Sequence, residues 1–411
     1  MFFKKVISTL VICTFFLSSC VTNGNQKSSL NVGPLLSSSF FKSEVDDQGV
    51  AKPKLDVVIP VFDPGLPEDT KQYEEKGIWP ELRRAESTRF AYKLKEALDA
   101  TGKFGAVRVT PDATATGDLY ILGTIVESDG EDVEIAIEAL DSSGKVWMDT
   151  SFDHEVDQAF HNDLRNDGKD PYDPMFTEAA EGIADELKYH GAKDLEDLQY
   201  VTNLRFGASF SEEAFMPHMM MDGDEVQLVS KMSEEDPMYR RMMAIRTRDQ
   251  LFVDGLQSNY ARFSEKMDES YLMWQEQSLL EHQAERDANM AAAGQAAGGV
   301  LLIGLAVLAA VAGAKSDSYG GATAGATGAV VGGVVGAGLL QKSFKTSEEA
   351  KVHRDALNEL GQSLDMELAP QVIEFEKETV KLTGDAKEQF QQWRTFLKKI
   401  YAEEATPDVK L

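Results

Sequence analysis

Two uncharged apolar segments, separated by a short polar connection, constrain the fold of this chain more than any other feature. The first covers residues 291–314 and the second residues 320–341. As helices they would be about 36 Å and 33 Å long at ~1.5 Å per residue, and the apolar core of a bilayer is about 30 Å thick. Their similar lengths and the short connection predict a helical hairpin.

Small residues recur at four-residue intervals in the second segment. The glycines in these rows are Gly321, Gly325, Gly328, Gly332, Gly333 and Gly336. On a helix they form a flat ridge that lets two backbones approach closely, as in membrane helix packing. Each helical glycine costs about 0.8–1 kcal/mol in water relative to alanine, so such a helix needs tight packing or surrounding lipid. The pattern favours a membrane-inserted glycine-zipper hairpin. A hairpin buried in a soluble or oligomeric core is the alternative, and a disordered linker fits poorly because the run is rich in Val, Ala and Leu.

The N-terminus has the pattern of a secretory signal peptide. Lys4 and Lys5 precede an apolar run from Val6 to Leu17, and small residues lead to Cys20. The sequence LSSC at residues 17–20 resembles the bacterial lipobox. The resemblance implies cleavage after residue 19 and attachment of lipid to Cys20, which is the only cofactor-like group expected. The alternative is an ordinary signal peptide followed by an incidental cysteine.

Charge and cysteine content restrict the partners and the compartment. The formal net charge of −28 argues against binding nucleic acid or anionic headgroups through a basic surface. Cys13 lies in the predicted signal peptide, so Cys20 alone would remain and no disulfide is expected. In Gram-negative lipoproteins an Asp after the lipidated Cys signals inner-membrane retention. This chain has Val21 there, so the resemblance implies an outer-membrane protein that faces the periplasm.

The rest of the chain divides into further regions and belongs to the α+β fold class. Residues 20–50 are expected to be a flexible tether, and residues 51–192 an α/β domain with a mixed sheet and two helices. In that domain a buried strand at 55–64 precedes a helix that starts near Pro80 and stops at Gly102. Strands are expected at 104–111, 118–128 and 132–140, a turn followed by a strand within 142–152, and a helix at 177–190. Residues 193–290 are mainly helical, 291–341 form the hairpin, and 342–411 form a C-terminal helical region.

The α/β region resembles a group of periplasmic lipoprotein and envelope domains. The residues that carry the likeness are VVIPVFDP at 57–64 before a long helix, GDLYILGTI at 117–125 and LDSSGKVW at 140–147. They resemble the curli-secretion lipoprotein, the TolB amino-terminal domain and the lipoprotein activators of penicillin-binding proteins. The resemblance covers about a third of the chain and implies a non-enzymatic scaffolding, recruiting or oligomerising domain.

Helical patterns flank the uncharged segments. Apolar residues recur at spacings of three and four from Leu256 to Trp274, and again from Ala350 to Leu364. The two stripes could pair as an antiparallel stalk, or each could pack on the α/β domain. Residues 372–384 alternate as a strand or a two-strand hairpin, and a last helix is expected from about Asp385, with Glu388 in position for capping.

Few residues suggest chemistry. The six histidines are His154, His161, His190, His218, His282 and His353, and none has metal-ligand spacing. Met216, Met219, Met220 and Met221 surround His218 and could hold Cu(I), but methionine also fills apolar contacts. Asp163, Asp167, Asp170 and Asp173 surround Gly168 in a loop that resembles a calcium site. Arg165 and Pro174 occupy its expected ligand positions, which favours a solvated acidic loop.

The sequence therefore predicts a non-enzymatic, outer-membrane-anchored lipoprotein. It would act as a scaffold or assembly factor of a cell-envelope or secretion complex, in contact with membrane lipid and oligomeric through its glycine-zipper hairpin. The alternative is a regulatory or binding module of an envelope enzyme or glycan, held only by its lipid, with the hairpin buried in a soluble core. No nucleophile, phosphate-loop or metal motif supports an enzyme.

Overall fold

The computed structural model of this protein describes residues 51–296, 348–362, 366–375 and 378–404. The chain combines a mixed five-stranded sheet near its N-terminus with helices later in the sequence, which confirms the coarse α+β prediction. Residues 297–341 of the predicted hairpin, the signal peptide and the tether lie outside the described residues.

The α/β region contains the expected strands and two principal helices. Its strands are β1 (Val57–Pro60), β2 (Val107–Thr110), β3 (Leu119–Ser128), β4 (Asp132–Asp141) and β5 (Val146–Glu155). Its helices are α1 (Lys71–Glu75), α2 (Pro80–Thr101) and α3 (Asp173–Glu186). Pro80 occupies the first turn of α2, and Gly102 ends the helix with a φ of 66°, as predicted. Helix α3 begins four residues earlier than the sequence pattern suggests.

The five strands are arranged in the order β2-β1-β3-β4-β5. Strand β1 pairs in parallel with β2 and β3, and the antiparallel β3–β4–β5 meander completes the sheet. Helix α2 connects β1 to β2 and packs with α3 on one sheet face, where the rings of Phe90 and Phe176 meet edge to face with centroids 5.1 Å apart. Alternate residues of β4 from Val133 to Ala139 are buried under these helices.

The region after residue 190 has more structure than the sequence pattern indicated. Helix α4 (Ala192–Ala208), the short helix α5 (Glu212–Phe215) and a hairpin of β6 (Met219–Asp222) and β7 (Glu225–Leu228) precede the long helix α6 (Pro237–Ala296). Helix α6 has 60 residues and is about 90 Å long at ~1.5 Å per residue. It begins well before Leu256, where the apolar stripe starts.

The C-terminal region comprises α7 (Glu348–Leu360), the hairpin of β8 (Gln371–Phe375) and β9 (Glu378–Leu382), and α8 (Ala386–Glu404). The two-strand interpretation of residues 372–384 is thus confirmed. Asp385 accepts a hydrogen bond from the Glu388 amide at 2.8 Å, so the predicted cap of the last helix is also confirmed.

Helices α6 and α7 run antiparallel, and both also pack on the α/β region. The Ser270 hydroxyl lies 3.0 Å from His353 Nδ1, and Lys266 lies 3.7 Å from Glu359. At the same time Trp79, beside the start of α2, donates to Asn358 of α7 at 2.9 Å. The two arrangements that the sequence left open are therefore both present in the described part of the chain.

Candidate functional site

A buried ionic cluster joins α2 to α6. Arg89 of α2 is 1 % exposed and lies 2.8 Å from Asp170, which is 4 % exposed. Arg89 also pairs with Asp268 of α6 and lies over the ring of Tyr271, 4.7 Å from its centroid. Burial acts to lower the pKa of Arg89, but the two carboxylates raise it overall. Burial alone would raise the pKa of Asp170, yet Arg89 and Lys93 hold it below its ordinary value.

Glu86 forms the second half of this cluster, one helical turn before Arg89. Its carboxyl is fully buried and accepts hydrogen bonds from Ser128 at 2.6 Å and from Tyr271 at 2.8 Å. Burial raises the pKa of Glu86 to about 7, against the opposing effect of Arg83 and the two hydrogen bonds. Active sites commonly contain a buried carboxyl group whose pKa is raised. Here both hydrogen bonds go to Oε1, while Oε2 is buried without a hydrogen bond and lies 3.7 Å from Arg83, and the cluster connects two helices.

Polar contacts continue along one face of α6 for most of its length. We call the residues that make them the polar stripe of α6: Gln250, Asp254, Gln257, Ser264, Asp268, Tyr271, Gln275, Ser278 and Arg286. They recur mainly at spacings of three, four and seven, so they lie on one side of the helix. From Gln250 to Arg286 this stripe extends over about 54 Å at ~1.5 Å per residue. It fixes α6 against the α/β region over that distance, beside the apolar stripe.

Two cavities flank the C-terminal end of α4. The first, which we call the hydroxyl cavity, has a volume of about 220 Å³ and is lined by Ala113, Thr114, Thr116, Tyr120, Ser142, Thr202, Arg205, Phe206, Ser209 and Arg394. The second, which we call the methionine cavity, has a volume of about 300 Å³ and is lined by Ser143, Gly144, Arg205, Ala208, Met216, Met219, Met220, Met221, Asp224 and Val226. Arg205 lines both. Side chains from the β2–β3 connection, the β4–β5 turn, α4, the β6–β7 hairpin and α8 therefore converge here, and of these only the methionines were candidates from the sequence.

The methionines singled out in the sequence line the second cavity, but His218 does not. His218 Nδ1 instead lies 2.8 Å from the Ser230 hydroxyl. Met216, Met220 and Met221 are 45 %, 52 % and 56 % exposed, so their thioethers face an open apolar cavity. This arrangement favours the interpretation of these methionines as an apolar contact surface over the Cu(I) alternative.

The acidic loop of residues 163–173 does not bring its carboxylates together. Asp163 pairs with Arg165 at 2.6 Å near the surface, and Asp167 is exposed. Asp170 is buried on Arg89, and Asp173 lies 3.2 Å from Lys93. The description of this loop as solvated is thus wrong for Asp170, because its carboxylate is the buried partner of an arginine 81 residues earlier. Over the residues that the structure describes, no group of three or more His, Cys, Asp or Glu side chains could hold a metal ion.

The remaining histidines have packing or surface roles. His353 lies partly buried beside Ser270, as its position on an apolar helical face predicted. The His190 ring stacks on Trp147 with centroids 4.0 Å apart, and burial lowers the pKa of His190. Burial likewise lowers the pKa of His161. His282 of α6 lies 3.5 Å from Asp129, and His154 lies in β5.

The two edges of the sheet differ. The β2 edge is covered by α6, whereas no strand among residues 51–296, 348–362, 366–375 and 378–404 pairs with the outer edge of β5. On the meander, acidic residues face each other across strands: Glu134 opposite Asp153, and Glu138 opposite Asp149. Like charges in such positions repel. This open, acidic edge would suit a cationic, extended partner.

The lipidation site and the packing glycines, on which the predicted membrane association depends, lie outside the described part of the chain. They are Cys20 and, in the second apolar segment, Gly321, Gly325, Gly328, Gly332, Gly333 and Gly336. Within the described ranges, which exclude residues 297–347, no helix combines the length and apolarity needed to cross a bilayer.

Comparisons with protein-family models, with curated proteins and with solved structures find no match to this chain. The resemblance to periplasmic lipoprotein domains therefore stays a prediction from the quoted sequence stretches. The strand–helix–strand–meander order of the sheet is compatible with that prediction.

Proposed function

We propose that this protein is a non-enzymatic, lipid-anchored scaffold or assembly factor of the bacterial cell envelope. The observation that carries the proposal is the continuous attachment of α6 to the α/β region from Gln250 to Arg286. Helix α6 continues to Ala296, inside the first uncharged segment. A helix held over such a length carries the position of the α/β region to residues 291–296, as a scaffold requires.

The chemistry of the interior supports the same proposal. Arg89, Asp170 and Glu86 are enclosed by their own partners and tie elements together. A buried pair of this kind costs several kcal/mol to leave half-paired, and it favours one arrangement of the helices. In the proposed function the α/β region faces the periplasm, Cys20 carries the lipid, and residues 291–341 meet membrane lipid or other copies of the chain.

Membrane fractionation tests the insertion of residues 291–341. A Cys20→Ala variant that is still cleaved lacks the acyl anchor, so only the uncharged segments could keep it in carbonate-washed membranes. Retention supports insertion, and complete release overturns it. Replacement of Gly328, Gly332 and Gly336 by Leu then separates the packing roles: loss of cross-linked oligomers with an intact fold supports a glycine zipper.

Site-specific photo-crosslinking tests the scaffold role itself. A photoreactive residue at the exposed position Ala284 of α6 should capture a defined envelope partner or another copy of the chain in living cells. The same residue placed at Glu178, on the exposed side of α3, is the matched control. If Ala284 yields no discrete crosslinked species, or only one that Glu178 yields equally, the scaffold proposal fails.

The second candidate function is a lipid-anchored binding module for an envelope enzyme or glycan. The open acidic edge of β5 favours it, because an exposed strand edge can pair with an extended segment of a partner. Photoreactive residues at Asp149 and Asp153 distinguish the two functions. Capture from β5 alone, combined with release of Cys20→Ala from membranes, would favour the binding module.

A further inference from the structure

We infer that Arg205 lies at the junction of a two-part binding site for an anionic amphiphile. The ligand would have a carboxylate or phosphate head in the hydroxyl cavity and an apolar tail in the methionine cavity. The inference goes beyond the scaffold proposal and does not depend on it, because its cavities lie around α4 and do not include the polar stripe of α6.

The head position follows from the charges around Arg205. This guanidinium is exposed and donates to the Ser142 carbonyl oxygen, and no ion pair joins it to a carboxylate among the residues that the structure describes. The other arginine of the hydroxyl cavity, Arg394, is already bound to Asp249 at 2.5 Å and to the Thr114 carbonyl at 2.9 Å. Arg205 can therefore offer unused N–H donors to an anion, in a chain whose net charge is −28.

Neighbouring groups leave room for one such anion. Tyr120 donates to the Ala115 carbonyl at 3.1 Å, and the Thr202 hydroxyl lies 2.7 Å from that of Ser142, so both are occupied within the fold. The nearby carboxylates are Asp118, which is buried, and Asp249, which Arg394 neutralises. Burial raises the pKa of Tyr120 overall, while Arg205 and Arg394 act on it as positive charges and Asp118 as a negative one. Two arginines therefore lie close enough to this cavity to attract an anion.

The tail position follows from the methionine cavity. A volume of about 300 Å³ is at the lower end of cavities that hold small ligands. Flexible thioethers line it and can adapt to an alkyl chain. The cavity also contains the carboxylate of Asp224, which lies in the β6–β7 turn. This negative charge would repel an anionic group near the turn, so the head of the ligand is placed beside Arg205.

Backbone contacts fix the wall of the methionine cavity where the β4–β5 turn meets the β6–β7 hairpin. The Val226 amide donates to the Ser143 carbonyl at 2.7 Å, and Gly144 has a φ of 95°. A Cβ atom on Gly144 would lie 2.8 Å from the Asp224 carbonyl oxygen, so only glycine permits this approach. This wall of the methionine cavity is consequently fixed by the backbone.

Site-resolved photolabelling tests the inference on the full chain in nanodiscs of zwitterionic phosphatidylcholine. The probe is decanoate with a diazirine at the far end of its chain, and the readout is the labelled peptide identified by mass spectrometry. We expect label on residues 216–221, reduced about tenfold or more in Arg205→Gln because a charge-assisted contact is lost. The matched control Arg165→Gln removes an exposed arginine elsewhere and should leave the labelling unchanged.

Competition identifies the source of the anion. Decanoate and decyl phosphate should both suppress the labelling, and decanol and inorganic phosphate should do so weakly. Stronger suppression by decyl phosphate points to a phospholipid-type head, and stronger suppression by decanoate points to a free fatty acid. The double variant Met220→Ser with Met221→Ser should weaken labelling by the decanoate probe. Labelling that is unchanged in Arg205→Gln, or that decanol suppresses as well as decanoate does, would overturn the inference.

Discussion

The Gln257 side chain of α6 binds both backbone groups of Val109 in strand β2. Its amide nitrogen donates to the Val109 carbonyl at 2.9 Å, and its oxygen accepts from the Val109 amide at 2.9 Å. It thus takes the place of a neighbouring strand at this position. Arg108, next to it, pairs with Asp254 of α6 at 2.5 Å. The long helix consequently covers the sheet edge that would otherwise be open.

Replacing Gln257 by Leu should destabilise the protein, because two backbone groups at a covered edge lose their partners. We expect a loss of about 1–3 kcal/mol in the free energy of unfolding, measured by urea titration. Gln391→Leu, on the exposed side of α8, is the control and should change stability little. An equal effect of the two substitutions would contradict the role of Gln257.

Replacing Arg89 by Met should be among the most destabilising single changes, because it leaves the Asp170 carboxylate buried without its principal cation. The expected cost is about 3–5 kcal/mol. The double variant Arg89→Met with Asp170→Leu should recover much of this loss, since no unpaired charge remains. Arg165→Met breaks the surface pair with Asp163 and should have no measurable effect. A double variant as unstable as the single one would show that the cluster acts through packing alone.

Glu86 should make stability fall as pH rises from about 4.5 to 7. The pKa of this carboxyl is about 7 in the folded chain against an ordinary value of 4.5, so the folded state keeps a proton that the unfolded state has released. The contribution of Glu86 to the free energy of unfolding, roughly 3 kcal/mol at most, is fully present below pH 4.5 and is lost as the pH rises through 7. Other carboxyls titrate in the same range, so the difference between the wild type and Glu86→Gln is the quantity to measure.

Glu86→Gln should therefore gain stability relative to the wild type between pH 5 and pH 7. Its lost contacts add only an offset that does not depend on pH. Asp170 acts in the opposite sense, because its pKa is lowered on folding: its contribution is present above its ordinary pKa and is lost as pH falls through the folded value. A difference between wild type and Glu86→Gln that is flat with pH would show that Glu86 titrates normally.

Glu138→Lys should stabilise the β4–β5 pair, because it replaces a like-charge pair with Asp149 by an opposite-charge pair. The expected gain is about 0.2–1 kcal/mol at low salt, and it should shrink as salt screens the surface charges. Thermal unfolding at two salt concentrations provides the measurement. Unchanged or reduced stability at low salt would contradict the repulsion.

The strands and helices of the α/β region could be predicted because their signals are local. Alternation along β4, Pro80 before α2 and Gly102 after it act within a few residues. The β6–β7 hairpin is not among the predicted elements, although the Gly223–Asp224 turn between its strands has the residues of a two-residue hairpin loop, because the methionines of β6 do not alternate with polar residues as an exposed strand does.

The functional clusters could not be predicted in the same way, because they join distant residues. Arg89 meets Asp268, 179 positions later, and Arg205 is brought to Ser142 by the packing of α4. In sequence, Glu86 and Arg89 are simply charges in the middle of an amphipathic helix, which usually indicates a solvated face. Their burial follows from the course of α6, which no local pattern specifies.

Distance measurement by pulsed electron spin resonance tests most directly whether α6 is held rigidly on the α/β region. Spin labels on cysteines introduced at Glu178 of α3 and Ala284 of α6, in the full chain in membranes, should give one narrow distance distribution. The control pair at Glu265 and Ala284, both on α6, should be narrow and centred near ~29 Å at ~1.5 Å per residue. A broad Glu178–Ala284 distribution beside a narrow control would show that α6 moves freely, and would contradict the scaffold proposal.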